Sequence, residues 1–172
     1  YFTNQYALNN TGQNITNQAG TIGADIHAES AWDVTKGAGV KVAVLDSGID
    51  TTHPEFVGKI VLQKVFITSA IDDKFGHGTH VAGIIAADTN NNQGVAGVCP
   101  DCQLIVGKVI DDTGSGPDSN IANSISWAAD NGAKVINLSF GYQEDSSVVA
   151  DAINYAWGKG SVIIGAAGNC GG

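Results

Sequence analysis

Apolar residues along this chain alternate between short continuous runs and longer stretches with helical spacing. The continuous runs predict buried strands at residues 40–45, 60–67, 104–110, 134–138 and 161–166. Helical spacing predicts helices at residues 28–34, from 77 to about 87, around 121–129 and around 149–156. Because strands and helices alternate, we predict an α/β fold with a parallel sheet.

The segments between these elements are polar and rich in residues that favour turns. Residues 1–27 predict an arm that lies on the surface, and residues 88–93 predict an Asn-rich loop. The chain has 172 residues, of which 43% are hydrophobic, enough for one sizeable core. No internal repeat or interdomain linker interrupts the pattern, so we predict a single domain across residues 1–172.

The charge of the chain limits the classes of partner. It has 17 Asp and Glu residues against 8 Lys and Arg residues, a net charge of −9 at pH 7. Such a charge disfavours binding to nucleic acid or to an anionic membrane surface. No apolar run is long enough to cross a bilayer. We therefore expect neither nucleic acid nor a membrane as a partner.

Small and polar residues follow four of the predicted strands. Asp46 follows the first, Gly114-Ser115-Gly116 the third, Ser139-Phe140-Gly141 the fourth and Gly168-Asn169 the fifth. The carboxyl ends of parallel strands meet at one edge of a sheet, where functional residues gather. Small residues at that edge let a peptide backbone approach closely, as the addition of a substrate strand would require.

Two longer segments carry the chemistry. Residues 42–48 read Val-Ala-Val-Leu-Asp-Ser-Gly, and residues 77–83 read His-Gly-Thr-His-Val-Ala-Gly. Alone, Asp46 is most simply a turn residue and His77 a helix cap. Together they suit two members of a catalytic triad, in which a carboxylate orients an imidazole that acts as general base. No serine of the chain lies in a setting typical of a nucleophile.

These two segments resemble the subtilisin family of serine endopeptidases, in particular its thermitase-like branch. In that family the Asp motif comes first, the His motif second, and a Gly-Thr-Ser-Met-Ala motif with the nucleophile much later. The resemblance implies a three-layer, doubly wound, mostly parallel sheet in a secreted enzyme, here incomplete at the C-terminus. We expect this chain alone to be inactive and to need a C-terminal segment or chain that carries the serine.

The resemblance also implies an acyl-transfer mechanism on protein or peptide substrates. His77 would take the proton of the serine, Asp46 would orient His77, and Asn169 would donate to the oxyanion. Residues 139–141 match the wall of the first specificity pocket, with Phe140 in place of the usual Leu. The residues expected to bind substrate are Ile110, Gly114, Ser115, Gly116, Ser139, Phe140, Gly141, Ala166, Ala167 and Gly168.

Structural calcium is a further implication of the resemblance. The oxygen ligands would be the side chains of Glu55 and Asn91 and the carbonyls of Thr89, Gln93 and Val95. The chain departs from the family pattern in having Glu rather than Asp at residue 55. The family's additional N-terminal ligand falls just before the first residue of the chain. Asp72 and Asp73 are candidates for a second, weaker site.

Cys99 and Cys102 have the C-x-x-C spacing, which is typical of a redox motif, half of a zinc site or a local disulfide. A redox motif would open a helix, whereas this one precedes a strand. A zinc site would need His77 and His80, which would deprive Asp46 of its partner. We predict a Cys99 to Cys102 disulfide, and a partner for Cys170 beyond the last residue.

Three hypotheses for the function remain at this point. The first is the N-terminal part of a secreted, calcium-stabilised subtilisin-like endopeptidase with a mainly apolar first pocket. The second is a non-catalytic peptide-binding fragment or a pseudoprotease. The third is a zinc-binding module. His80 and His53 are interpreted as structural residues in the first hypothesis.

Overall fold

The fold is built on one five-stranded sheet. The computed structural model describes residues 2–67, 70–141 and 145–169. A short separate hairpin comes first, formed by β1 (Asn14–Ile15) and β2 (Gln18–Ala19). The strands of the main sheet are β3 (Lys41–Asp46), β4 (Ile60–Val65), β5 (Gln103–Lys108), β6 (Val135–Leu138) and β7 (Val162–Gly165). The main sheet has the order β4-β5-β3-β6-β7, and every pair in it is parallel. The predicted α/β class with a parallel sheet is confirmed.

Four α-helices accompany the strands in the described part of the chain. They are α1 (Ala28–Trp32), α2 (His77–Ala86), α3 (Asp118–Asp130) and α4 (Ser147–Gly158), and two 3-10 turns occupy Phe2–Asn4 and Pro54–Phe56. Each predicted strand and helix occurs, and the ends differ from the predicted ones by a turn or less. Among the described residues no helix is long and apolar enough to cross a membrane.

Side chains of the sheet alternate between two cores, as the period of a strand requires. On β3, Ala43 and Leu45 join a core formed with α3 and α4, whereas Val44 joins a second core formed with α2. On β5, Ile105 points to the first core, and Leu104 and Val106 point to the second. The sheet is therefore the middle of three layers, with α2 on one face and α3 and α4 on the other.

The N-terminal arm is mostly exposed but is fixed to the rest of the fold by several contacts. Leu8 is buried against Ala28 and Ala96. The Gln5 side chain accepts from the Ala96 N–H at 2.8 Å and donates to the Ala96 carbonyl at 2.8 Å. The β1–β2 hairpin within the arm was not predicted, because two-residue strands leave no periodic signal in the sequence.

Candidate functional site

Asp46 and His77 meet at the carboxyl edge of the sheet. Asp46 is the last residue of β3, its side chain is 1% exposed, and His77 is the first residue of α2. His77 Nδ1 lies 2.7 Å from Asp46 Oδ1, while 40% of the His77 side chain is exposed. The buried carboxylate thus holds one side of an imidazole whose other side can reach solvent or a ligand.

The chemistry of this pair follows from its atoms. An ionised carboxylate only accepts hydrogen bonds, so the proton of a neutral His77 ring lies on Nδ1 and leaves Nε2 as the free acceptor. Asp46 Oδ1 also accepts from the Ser47 N–H at 2.7 Å, and Asp46 Oδ2 is buried with no hydrogen-bond partner within the part of the chain that the structure describes. Because few donors share its charge, the Asp46 carboxylate is well placed to stabilise a positive imidazole. The arrangement can act as a general base.

Two glycines allow β3 and α2 to approach this closely. A Cβ at Gly78 would overlap the Gly48 carbonyl oxygen and lie 3.1 Å from the Asp46 Cβ. Gly76, just before α2, has a φ of 83°, in the left-handed region that favours glycine. The glycines on both sides of His77 therefore set the entry of α2 and its distance from β3.

The first turn of α2 is capped by Asp73 rather than by the residue at the cap itself. Asp73 Oδ2 accepts from the Thr79 N–H and from the Thr79 hydroxyl, both at 2.7 Å. Asp73 Oδ1 accepts from the Gly76 N–H at 2.9 Å and from the Ser47 hydroxyl at 2.8 Å. Burial opposes ionisation of Asp73, but these hydrogen bonds, with Thr79 contributing most, hold the pKa of its carboxyl below the ordinary value. The carboxylate satisfies orphan donors of the helix.

A buried lysine fixes the residue before this cap. Lys108, the last residue of β5, is 1% exposed, and its Nζ donates to the Asp72 carbonyl at 2.7 Å and to Asp112 Oδ1 at 2.9 Å. With both Asp73 oxygens accepting from protein donors, and Asp72 offering its carbonyl to Lys108, the second calcium site gains no support here. It stays a prediction.

The residues predicted to bind substrate follow β5, β6 and β7 at the same edge as Asp46. A Cβ at Gly116 would overlap the Val109 carbonyl, and the Ala166 N–H donates to the Leu138 carbonyl at 3.0 Å, which fixes the exit of β7 beside the end of β6. Ala166, Ala167, Gly168 and Asn169 are exposed, as are Gly114, Ser115 and Gly141, whereas Gly116, Ser139 and Phe140 are half-buried.

Ile110 differs from the other residues of the predicted cleft. It is 6% exposed and belongs to the core beneath α3 and α4. Its N–H donates to the Asp46 carbonyl at 3.2 Å, as the Val109 N–H does at 2.8 Å. Ile110 therefore supports the backbone at Asp46, and its contact with substrate stays a prediction.

Phe75 is a neighbour of the site that the sequence analysis missed. Its ring centroid lies 6.3 Å from that of His77, and a Cβ at Gly114 would come within 3.3 Å of the ring. The ring is 50% exposed and lies between His77 and the loop after β5. An aromatic residue two positions before the His motif gives no local signal of this role.

The loop predicted to bind calcium surrounds a buried carboxylate. Glu55 is 3% exposed, and its Oε1 is buried without a hydrogen-bond partner among the described residues. A Cβ at Gly94 would overlap this oxygen, so the loop packs directly on it. A buried, unpartnered carboxylate oxygen fits a cation. The Asn91 amide nitrogen donates to Glu55 Oε2 at 2.9 Å, and Asn91 Oδ1 accepts from the Gln93 N–H at 3.0 Å.

For Asn91 to be a ligand, its amide would have to turn its oxygen toward Glu55. The same loop has Asn90 and Asn92 at positive φ, 62° and 61°, a conformation that Asn tolerates. These two residues flank Asn91, whose side chain bonds Glu55. The carbonyl ligands expected at Thr89, Gln93 and Val95 stay predictions.

Cys99 and Cys102 are joined as a disulfide in the structure. A Cβ at Gly37 would overlap both sulfurs, so the pair packs directly on the Gly37 backbone. Neither sulfur is free as a thiolate ligand, and the described residues contain no cluster of three or more His, Cys, Asp or Glu side chains that could hold a metal. The zinc hypothesis is thereby disfavoured. Cys170 lies outside the described residues.

A sequence model of the subtilase family matches residues 37–171 of this chain. The chain belongs to the subtilase family. Thermitase from Thermoactinomyces vulgaris is 47% identical over 148 residues, which cover 85% of this chain and 53% of thermitase. A thermophilic serine proteinase from Bacillus sp. (strain AK1) is 48% identical over 148 residues, which cover 84% of this chain and 37% of that protein.

A solved structure agrees with the fold. Sphericase superposes with a TM-score of 0.74 and 41% sequence identity, over 80% of this chain and 48% of its own. The family resemblance and the doubly wound parallel fold expected from the sequence are confirmed. This chain spans about half the length of thermitase and of Sphericase.

Proposed function

We propose that this chain is the N-terminal part of a serine endopeptidase of the subtilisin type, which cleaves peptide bonds in proteins by acyl transfer. The contact of 2.7 Å between His77 Nδ1 and Asp46 Oδ1 is the observation that supports this most directly. Relatives such as thermitase are serine proteases, and the part that matches this chain covers 53% of thermitase. A downstream segment would supply the nucleophilic serine.

In the proposed mechanism His77 Nε2 takes the serine proton during attack on the peptide carbonyl and returns it to the leaving amine. Asp46 keeps the Nδ1 tautomer and stabilises the cationic ring between these two steps. Asn169 follows β7 on the same edge of the sheet and would donate its side-chain N–H to the oxyanion. The exposed residues around Gly114 and Gly141 would receive the substrate backbone.

The sheet itself supports the participation of a further segment. β7 is an edge strand, and its side chains Val162 and Ile164 are 46% and 49% exposed. Trp157 on the adjacent α4 is 68% exposed. Large exposed apolar side chains beside an open strand edge favour association with more polypeptide. This is the side of the molecule to which Asn169 belongs.

Calcium and a secreted location complete the proposal. Glu55 and the loop at residues 89–95 would hold the ion, which would stabilise the fold without taking part in the reaction. The disulfide between Cys99 and Cys102 supports an oxidising compartment.

The test compares the 172-residue chain with the complete protein of which it is part, using a soluble peptide amide substrate. We expect turnover only with the serine-bearing segment present. His77→Ala should then lower kcat by about 10⁶-fold, a magnitude known for subtilisin itself and not obtained from this structure.

His80→Ala is the matched control, because His80 is the same residue type in the same helix and is exposed. It should retain nearly full activity. Peptide hydrolysis by the 172-residue chain alone would contradict the proposed division of the triad. Peptide binding without hydrolysis by the complete protein would instead favour a pseudoprotease.

A further inference from the structure

The Asp73 carboxylate connects the two members of the His77–Asp46 pair by separate routes. One route runs into α2, because Asp73 accepts from the N–H groups of Gly76 and Thr79, on either side of His77. The other route runs to β3, because Asp73 accepts from the hydroxyl of Ser47, the residue after Asp46. The Asp73 side chain thus contacts residues next to Asp46 on β3 and residues around His77 on α2.

The Ser47 hydroxyl closes this network. It donates its single hydrogen to Asp73 at 2.8 Å and therefore can only accept in its second contact, with the Gly78 N–H at 2.9 Å. Ser47 and Gly78 are both buried. The direction of the Ser47 hydroxyl is set by Asp73, and it in turn holds Gly78, which follows His77.

A carboxylate is the only side chain that fits the position of Asp73. Each of its two oxygens accepts two hydrogen bonds, and the four donors are two backbone N–H groups and two hydroxyls. An Asn there has one oxygen and one NH₂ group. The NH₂ group cannot accept the two hydrogen bonds that one carboxylate oxygen accepts. Asp73→Asn therefore keeps the size of the side chain and loses either the bonds from Gly76 and Ser47, which share Oδ1, or the two bonds from Thr79, which share Oδ2.

The segment that contains Asp73 is itself fixed. Lys108 binds the Asp72 carbonyl at 2.7 Å, and the Ile49 N–H donates to the Ile71 carbonyl at 3.1 Å. Thr79 Oγ1 also accepts from the Asp50 N–H at 2.9 Å, which ties the loop after β3 to the same helical turn. The segment before Asp73 and the helical turn that Asp73 caps are therefore both bonded to the strands of the sheet or the loop after β3.

We propose that Asp73 is a positioning residue, which fixes the orientation of His77 relative to Asp46 by holding the first turn of α2 against Ser47. It does not touch the reacting atoms. The inference rests on the proposed function, in which His77 and Asp46 form the catalytic pair, and it identifies the group that keeps this pair in register.

The test is nuclear magnetic resonance of the 172-residue chain with ¹⁵N-labelled histidine, well below the unfolding temperature of every variant. The observed signal is the downfield Nδ1 proton of His77 bonded to Asp46, together with the two ring nitrogen shifts that report the tautomer. In Asp73→Asn we expect the ratio of bonded to unbonded ring to fall about fivefold to tenfold, the effect of losing about one hydrogen bond of stabilisation.

Asp25→Asn is the matched control. Asp25 also accepts from two backbone N–H groups, those of Asn10 and His27, but it lies in the arm. It should lower the unfolding temperature and leave the His77 signals in place. Ser47→Ala removes the Asp73 contact with β3 and the bond from the Gly78 N–H, but it leaves the Asp73 bonds to Gly76 and Thr79 in place. It should shift the His77 signals by a smaller amount, which provides a second variant if Asp73→Asn does not fold.

The outcomes separate the two proposals. If the parent chain lacks an Nδ1 proton bonded to Asp46, the catalytic pair of the proposed function is wrong. If the parent shows it and both Asp73→Asn and Ser47→Ala leave it unchanged, the positioning role is wrong. An equal change in Asp25→Asn would also overturn the positioning role, because it would trace the effect to general stability.

Discussion

Two aspartates near the site differ in what their oxygens contact, and this difference separates their roles. Asp73 receives four hydrogen bonds, which stabilise its charge and fix a helix end. Asp46 receives one backbone N–H and the His77 ring, and none of the described residues bonds its Oδ2. A carboxylate whose charge is shared by few donors interacts strongly with one nearby cation. Asp46 is therefore suited to stabilising a positive His77 ring, and Asp73 is suited to holding the first turn of α2.

Asn169 provides a prediction at the scale of one residue. In the complete enzyme its amide should bond the developing oxyanion more strongly than the ground-state carbonyl, so Asn169→Ala should lower kcat and leave KM nearly unchanged. The expected loss is about 10²–10³-fold, which is the effect known for subtilisin and is not obtained from this structure. The measurement is steady-state kinetics with a soluble amide substrate.

The split between the two constants is the decisive result for Asn169. A change confined to KM would assign the residue to substrate binding. No change in either constant would leave it as a turn residue after β7. Asn123→Ala, at an exposed position on α3, is a control of the same chemistry and should have no effect.

At the scale of elements, α2 depends on where its glycines lie. Gly78 faces β3, and a Cβ there would overlap the Gly48 carbonyl. Gly83, five residues later on the same helix, has no atom of another described residue within 4 Å of such a Cβ. The same residue type is therefore required at one position by close packing and is a cost to helix stability at the other.

This contrast predicts opposite effects of the same substitution. Gly78→Ala should destabilise the chain by about 1–3 kcal/mol, because backbone atoms must move to admit a methyl group. Gly83→Ala should stabilise it by about 0.5–1 kcal/mol through helix propensity. Urea unfolding of the 172-residue chain measures both. Equal effects of the two substitutions would show that α2 does not pack on β3 as described.

The loop at residues 89–95 predicts a calcium effect. At a calcium concentration of 100 times Kd, binding to the folded state should add about 2.7 kcal/mol, or roughly 5–10 °C in Tm for a chain of this size. Glu55→Gln should abolish this shift, because it removes the buried charge that faces the loop. Thermal unfolding with calcium and with chelator measures it.

Asp151→Asn, an exposed acid on α4, is the control and should keep the full calcium shift. If the parent chain shows no shift, it does not bind calcium at this loop. If Glu55→Gln keeps the shift, the ion binds elsewhere.

Local patterns of the sequence were sufficient for the elements and for the pair at the centre of the site. The spacing of apolar residues predicted β3 and α2, and the two motifs at residues 42–48 and 77–83 predicted the pairing of Asp46 with His77. The residues that hold this pair in place were not predictable in this way. Ser47 and Asp73 are 26 residues apart and meet only after β3 and α2 have packed. Lys108 lies in an apolar strand pattern, and nothing local indicates that its charge is buried against Asp72 and Asp112.

For the whole molecule, acid stability depends on how its carboxylates are bonded. Among the described residues, five aspartates have a pKa lowered from the ordinary value: Asp25 by the Asn10 N–H, Asp50 by the Thr52 hydroxyl, Asp111 by the Thr113 hydroxyl, Asp130 by Lys159, and Asp73 by its four donors despite burial. A lowered pKa in the folded state adds stability above the unfolded pKa of 3.8, and this stability is lost as pH falls through the folded value.

Net charge acts in the opposite direction at higher pH. The chain has a charge of −9 at pH 7 and a pI near 4.5, so acidification to about pH 5 reduces self-repulsion. We therefore expect Tm to stay level or rise slightly from pH 7 to pH 5 and to fall steeply below about pH 4. Asp25→Asn identifies the cause, because a protonated Asp and an Asn bond similarly. Its Tm should lie below that of the parent at pH 6 and converge with it near pH 2.5, whereas a constant gap would mean that the bonded carboxylates do not determine the acid limit.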